Sequence, residues 1–456
     1  MTHPSGKHSW RRRGTVLIVT MVVCFALAGS VIVLCRSMRV EVQASANTAA
    51  SLEAASVARG AEQYVLALLT GYKDQIREMN EDEFAAVPVG NGCFWLLRPD
   101  YEDAQLPLFG LMEESAKLNL VGVTYDELLR LPGMTDEAAS SIMDWIDEDS
   151  NVERDGAEDE YYLSLPDSYY CKNAPFETVE ELLMVRGMYR DMLYGDGTAP
   201  PLGERIAARD VSRNLFSDPQ LARGIFDLVT VYTSEPNTSE EGVELVNINR
   251  LDRSNTRNQF RDRLRQRLDR TRADQIAAAA GSTRFTSIFQ LYFAARLKPE
   301  ELDAIQDDLT VTSGQRRTRL VNINTAPPAV LRSMDGLDDE DADKLIAART
   351  GLDPTSDSIA WAADALGEAK AMAIGPRVTW KTYQYSADIL AASGNGRAFK
   401  RVRIVVDAAG GTPQIVYRRD LTERGWPMDR AILAQLRTGQ GISSGARNVL
   451  PGGSRF

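Results

Sequence analysis

Polar and apolar positions divide this chain unevenly. From Thr15 to Cys35 the sequence TVLIVTMVVCFALAGSVIVLC carries no charged side chain, and about twenty apolar residues is what an α-helix needs to cross the hydrocarbon of a bilayer. Arg11, Arg12 and Arg13 precede the run, and Arg36 and Arg39 follow it. The positive-inside tendency places the N-terminus in the cytoplasm and the long remainder outside it. The run is longer than a secretory h-region and lacks a small-x-small cleavage pattern, so it reads as retained. Residues 40 to 70 continue it with an alanine-dominated stretch free of proline. Alanine is the best helix former, and Leu52, Ala55, Ala58, Ala61, Val65 and Leu68 share one helical face. The pattern predicts one helix over 15–70.

Past residue 70 the period changes several times. CFWLLRPDY at 93 to 101 and LPLFGLM at 106 to 112 read as strands or buried loops, and KLNLVGV at 117 to 123 as a short strand. A cap-helix-glycine theme follows. Thr124 and Glu127 form a capping box, and Pro132-Gly133 ends that helix; Ile142, Trp145 and Ile146 then mark a second apolar face. Thr178, Glu181 and Gly187 repeat the theme, residues 320–349 repeat it again, and LVNINR at 245 to 250 copies only its opening. Between these, residues 251–274 hold eight arginines and four aspartates around Phe260, Leu264 and Leu268, the pattern of a solvated amphipathic helix. Towards the C-terminus, 382–390, 399–408 and 413–421 alternate in part between Gly394-Asn395-Gly396 and Gly410-Gly411 turn signals, which predicts a small antiparallel sheet.

The expected fold class is therefore α+β: a transmembrane spine helix, a small antiparallel sheet and a large α-helical insertion with helix-hairpin-helix-like repeats. The expected divisions are a leader over 1–14, the spine over 15–70, an α+β part over 71–116, the insertion over 117–350 (expanded about 190–320), a C-terminal sheet part over 351–438 and a disordered Gly/Ser/Arg-rich tail over 439–456.

With 456 residues, the chain has room for two or three domains, and its net charge of −12 suits nucleic acid poorly. Residues 144–162, DWIDEDSNVERDGAEDEYY, hold nine acidic side chains and one arginine. Calcium takes several carboxylate and carbonyl oxygens on a flexible loop, so Asp144, Asp147, Asp149, Asp155, Glu158 and Asp159 are candidate ligands; a solvated acidic turn is the plainer reading. The hairpin around Asp335-Gly336-Leu337 has the shape of a DNA-gripping motif, but Asp338, Asp339, Glu340, Asp341 and Asp343 beside it repel phosphate. Cys24 and Cys35 belong to the apolar run. Cys93 and Cys171 lie in the exported part, where two thiols can pair; a disulfide and two free thiols both stand, because sequence does not show whether their Cβ atoms meet.

A basic leader ending in Gly14, directly followed by the apolar helix, resembles the type IV prepilins. The resemblance implies cleavage by a prepilin peptidase between Gly14 and Thr15 and methylation of Thr15. His3 and His8 precede that cut and are the chain's two histidines, so the mature chain holds no imidazole for Ser-His-Asp or Cys-His chemistry. Val19 stands where most such subunits carry glutamate. Together with LNLVGV, ELLRLPGM, the acidic stretch, FETVEELLMVRGM, TVYTSE, VNINTAPPAVL and IVYRRDL in that order, the chain is similar to the minor pseudopilin K family of type II secretion systems. That likeness implies a non-enzymatic subunit at the tip of a pseudopilus. It would initiate and cap assembly for protein export across the outer membrane, in contact with I- and J-type pseudopilins and the inner-membrane platform. It also implies a single pass through the inner membrane, a periplasmic bulk and calcium in the acidic loop. The alternatives are a membrane-tethered helix-hairpin-helix protein for DNA uptake and a signal-anchored calcium-dependent binding protein.

Overall fold

A computed structural model describes residues 10–99, 107–195, 224–239, 242–281, 284–353 and 355–438. The first nine residues of the expected leader and the expected tail over 439–456 lie outside the described residues.

The first helix, α1, runs from Trp10 to Gly71 without a break, 62 residues. Its N-terminal part is long and apolar enough to cross a membrane, and none of that part is buried within the chain. The other half packs on a sheet. Ala54, Val57, Ala58, Ala61, Val65, Leu68 and Leu69 are buried there. The stripe differs in part from the expected one. Ala58, Ala61, Val65 and Leu68 lie in it, but Ala55 is only partly buried and Leu52 is 64% exposed, because the contact begins on the neighbouring face at Ala50 and Ala54.

The sheet contains β1 (Val87–Val89), β2 (Gly92–Pro99), β3 (Pro107–Phe109), β4 (Met112–Glu113), β5 (Gln384–Ala392), β6 (Phe399–Asp407) and β7 (Gln414–Asp420). Strands run β1-β2-β5-β6-β7, with β3 on β2 and β4 on β5, and every pair is antiparallel. Side chains alternate between faces along each strand. Phe94, Leu96, Ala387, Ile389, Val402 and Ile404 face α1. Cys93, Trp95, Leu97 and Leu390 face the other way, under Met428 and Leu436 of the C-terminal segment.

The chain leaves this sheet after β4 and returns at β5. The intervening helical body shares one apolar core from Leu118 to Trp380. It therefore runs past the expected boundary at 350. The helices Ala360–Leu366 and Glu368–Ile374 bury Ala362, Ala363, Ala371 and Ile374 in it, and short alanine-rich helices give too weak a period to be assigned from sequence. Within the body, α2 (Tyr125–Leu129), α3 (Asp136–Ile146) and α4 (Asp159–Leu163) come first. Next are α5 (Ser254–Arg267) and α6 (Arg270–Ala280), then α7 (Pro328–Ser333) and α8 (Asp339–Thr350). The Thr124–Glu127 capping box forms as read. Thr178 and Glu181 form one too, but it heads a 3-10 turn over Val179–Met184. The turn glycines Gly133, Gly187 and Gly336 all take positive φ, where a side chain would be strained. On α5, Phe260 and Leu264 are buried. Neighbouring acids take up several of the arginines: Asp308 those of Arg263 and Arg267, and Asp274 that of Arg265.

Candidate functional site

Thr135 caps α3 by accepting from the Ala138 amide, and the helix packs Ile142 and Trp145 into the core. Asp144 is carried in with them and is fully buried. The acidic loop then folds back over it. Asp144 Oδ1 accepts from the Glu153 amide at 3.0 Å. A Cβ on Gly156 would stand 2.1 Å from Asp144 Oδ2, so only glycine admits the loop this close. Glu158 precedes α4 and is 3% exposed. The segment Cys171–Asn173 closes the nest: the Cys171 amide donates to Asp159 Oδ1 at 2.7 Å, and Asn173 Nδ2 donates to the Asp149 carbonyl at 2.8 Å.

Five buried oxygens in this nest lack a hydrogen bond of ordinary geometry: Asp144 Oδ2, Asp147 Oδ1, both carboxylate oxygens of Glu158, and Asn173 Oδ1; only weak contacts, such as that of the Cys171 thiol with Glu158, reach them. Burial pushes the carboxyls of Asp144, Asp147 and Glu158 up, and repulsion from neighbouring acids adds to it. A buried carboxylate without a partner is costly. Arg154 does not relieve it, because that side chain points into solvent beside Asp155.

The six sequence candidates therefore divide. Asp144, Asp147 and Glu158 turn inward and feel one another's charge. Asp149 is turned to Asn151, accepting from its amide and its side chain. Asp155 is exposed in a left-handed turn, and Asp159 holds the Cys171 amide. These three depart from the expected ligand set because local turns already use or expose them. Asn173 was missed: it lies beyond the acidic stretch and carries no charge, so nothing in the sequence marks it, although its backbone takes a positive φ. Among the described residues no three His, Cys, Asp or Glu side chains stand at metal-holding geometry. The donor chemistry, orphaned hard oxygens with no counter-charge, does fit a hard cation.

The disulfide alternative is corrected. Cys93 and Cys171 are free and buried, Cys93 in the sheet core and Cys171 in the helical core. Two separate cores keep their Cβ atoms apart.

The turn between α7 and α8, which resembles a phosphate-gripping hairpin, is occupied from within. Its Asp335 amide donates to Glu127 Oε1 at 3.4 Å. Arg130 donates to the carbonyls of Met334 and Leu337, and Arg377 pairs with the fully buried Glu127. Asp338 and Asp341 pair with Lys370. The turn docks protein.

An apolar rod laid on an antiparallel sheet, with a helical body spliced between two of its strands, defines a membrane-anchored, pilin-like subunit with an added head. Residues 108–194 and 321–374 both match the description Type II secretion system (T2SS), protein K, so these two segments are similar to that family. A solved structure, the GspK-GspI-GspJ complex from the enterotoxigenic Escherichia coli type 2 secretion system, is 16% identical, covers 84% of this chain and 98% of its own, and gives a TM-score of 0.35. No curated protein matches the chain.

Proposed function

We propose that this chain is a minor pseudopilin that starts and caps the type II secretion pseudopilus, helping to drive proteins across the outer membrane. The observation that carries the reading is where the head is fastened. Arg77 follows directly on the membrane-distal end of α1. It pairs with Glu113 at 2.6 Å and with Asp357 at 2.8 Å. Glu113 in turn accepts from Asn322, Thr325 and Thr382. Burial opposes ionisation of Glu113, but the Arg77 guanidinium outweighs it and holds the carboxyl below its ordinary range. The broad helical body is thus bolted to the far end of the rod, where a further stacked subunit would have to sit. A side-chain carboxylate is absent at Val19, which suits a subunit with nothing above it.

On this reading a prepilin peptidase cuts between Gly14 and Thr15, Thr15 is methylated, and α1 spans the inner membrane with the head in the periplasm. The companions are I- and J-type minor pseudopilins, the kinds named in the related complex, and the inner-membrane platform. The acidic nest is where calcium enters on this reading, and Asp144, Asp147 and Glu158, with the Asn173 amide oxygen beside them, would have to draw closer together to hold it, since they do not stand at metal-holding geometry here. Calcium supplies the positive charge that these buried oxygens lack.

Two measurements test this. N-terminal sequencing of the protein recovered from membranes should begin at Thr15; a start at Met1 or Thr2 overturns the pilin reading. Co-expression of the full chain with its companion I- and J-type subunits should yield a complex that co-purifies; failure to associate overturns the tip assignment.

A further inference from the structure

Among the described residues, three short parallel strand pairs run through the helical head. Leu118–Asn119 pairs with Val229–Thr230, Val246–Asn247 with Leu309–Thr310, and Val321–Asn322 with Val378–Thr379. Each opening strand leads into a helical hairpin, and each closing strand ends the segment.

The three pairs repeat one hydrogen-bond pattern and differ only in which closing-strand carbonyl the asparagine reaches. Asn119, Asn247 and Asn322 each accept through Oδ1 from the amide two residues on. Each donates through Nδ2 across the pair: Asn119 to the carbonyl and hydroxyl of Thr233, Asn247 to the Thr312 carbonyl and Ser313 hydroxyl, Asn322 to the Trp380 carbonyl and Thr382 hydroxyl. On the closing side Thr230, Thr310 and Thr379 each accept through Oγ1 from the amide two residues on. All three threonines are buried. Aligned on these bonds, the opening triplets read Leu-Asn-Leu, Val-Asn-Ile and Val-Asn-Ile. The closing pentads read Val-Thr-Val-Tyr-Thr, Leu-Thr-Val-Thr-Ser and Val-Thr-Trp-Lys-Thr. Apolar packing alone does not require a buried amide at one matching position three times, since an unpaired amide there would be costly.

We infer that, among the described residues, the head is one latched helical unit used three times, bracketed by 118–119 and 229–233, by 246–247 and 309–313, and by 321–322 and 378–382, and that the middle copy is an addition. The first and third units open inside the two family-matched segments, 108–194 and 321–374, and the middle unit lies outside both. The first and third dock on each other through Arg130 and Glu127. The middle unit begins with a helix of 14 residues where theirs have 5 and 6. At 1.5 Å per residue this moves its hairpin turn roughly 12 Å along the helix axis, where Leu268 packs on the shared core and Arg267 pairs with Asp308 of the same unit. What the family shares in function resides in the family-matched copies, so the middle one is dispensable for companion contact. That last clause rests on the tip-subunit reading.

Hydrogen exchange on the full chain carrying Asn119→Ala, Asn247→Ala or Asn322→Ala, one at a time, tests the repeat. Each variant should exchange about tenfold faster in the closing strand of its own unit, the factor expected from losing one net hydrogen bond. The affected amides are 229–233, 309–313 and 378–382 respectively. Faster exchange in another unit's closing strand, or no local change, overturns the inference. A chain in which 309–313 is replaced by Val-Thr-Trp-Lys-Thr should keep wild-type protection in the middle unit; its loss also overturns the inference. For the role of the middle copy, Asn247→Ala should co-purify with the companion subunits as wild type does, and loss of binding overturns that role. If wild type itself fails to bind, the tip assignment falls while the exchange result still stands.

Discussion

Arg130 donates to the carbonyl oxygen of Leu337 at 2.8 Å across 207 residues of sequence. It meets the Met334 carbonyl at the same turn. One side chain of the first hairpin therefore satisfies the free backbone acceptors of the third. Arg130→Ala should destabilise the head by about 1–3 kcal/mol, the cost of leaving such groups unpaired. Glu127→Ala should cost more, about 3–5 kcal/mol, because it strands the Arg377 guanidinium in a buried site. Chemical denaturation of the two variants beside wild type measures both. Equal stability of Glu127→Ala and wild type would show that the hairpins are not coupled.

The acidic nest makes a prediction about pH and calcium together. The folded-state carboxyls of Asp144, Asp147 and Glu158 lie above their ordinary values, chiefly through burial. Their favourable contribution is then fully present below the unfolded carboxylate range, about 4, and is lost as pH rises through the raised values. At neutral pH without calcium the ionised nest therefore works against the fold. In chelator at neutral pH, Asp144→Asn should melt higher than wild type, and the gain should shrink as pH falls towards 4. Calcium should reverse the order by stabilising wild type, by about 2.7 kcal/mol at a hundredfold excess over its Kd, and should leave the variant unmoved. Calorimetry in chelator and in calcium decides it, and an unchanged wild-type melting temperature would remove the cation from the site.

The architecture was legible in the sequence where one period ran long enough to be read. The spine helix, the strands over Gln384–Ala392 and Phe399–Asp407, and the Thr124–Glu127 cap all follow from local pattern. The nest was legible only as composition. Nine acids in one stretch show that charge is concentrated there, but Gly156 and Asn173 decide which carboxylates turn inward, and neither is acidic. The threefold latch was half visible. LVNINR announced an opening strand, but its closing strand lies about sixty residues on, and a two-residue parallel pair leaves no period to detect. Asp335-Gly336-Leu337 was legible by exclusion: a hairpin turn that grips phosphate and one that grips Arg130 look alike, but the acids beside it already argued against phosphate.

At low pH the controlling groups are different ones. Asp388 holds Arg401 through two contacts, 2.9 and 2.5 Å, and meets Arg403 at 3.4 Å; Arg403 also reaches Asp227 at 2.7 Å. Burial opposes ionisation of both aspartates, but the arginines prevail and hold Asp227 at about 2 and Asp388 below its ordinary value. A depressed carboxyl stabilises the fold above its unfolded value, near 4, and loses that contribution as pH falls towards the folded value. Asp388→Asn should therefore cost about 3–5 kcal/mol at pH 7 by uncovering buried guanidinium charge. Its deficit relative to wild type should narrow towards pH 2. Urea unfolding at neutral and acid pH follows the gap, and a gap that stays constant would show that this network does not govern acid stability.

The two buried thiols give the last prediction. Cys93 sits among Trp95, Leu390 and Leu436 in the sheet core, and Cys171 leans on the Asp144 carbonyl at 3.6 Å. Burial pushes both thiols up to about 12. Thiolate is the reactive form, so neither should react with a thiol reagent near pH 8 while the chain is folded. In denaturant without reductant both should label completely, since no disulfide protects them. Peptide mass spectrometry after alkylation reads each site separately. A Cys93–Cys171 crosslinked peptide would overturn the separation of the two cores. The variant Cys93→Ser should still lose stability, by about 1–3 kcal/mol for a hydroxyl placed in an apolar site, which distinguishes a packed thiol from an inert one.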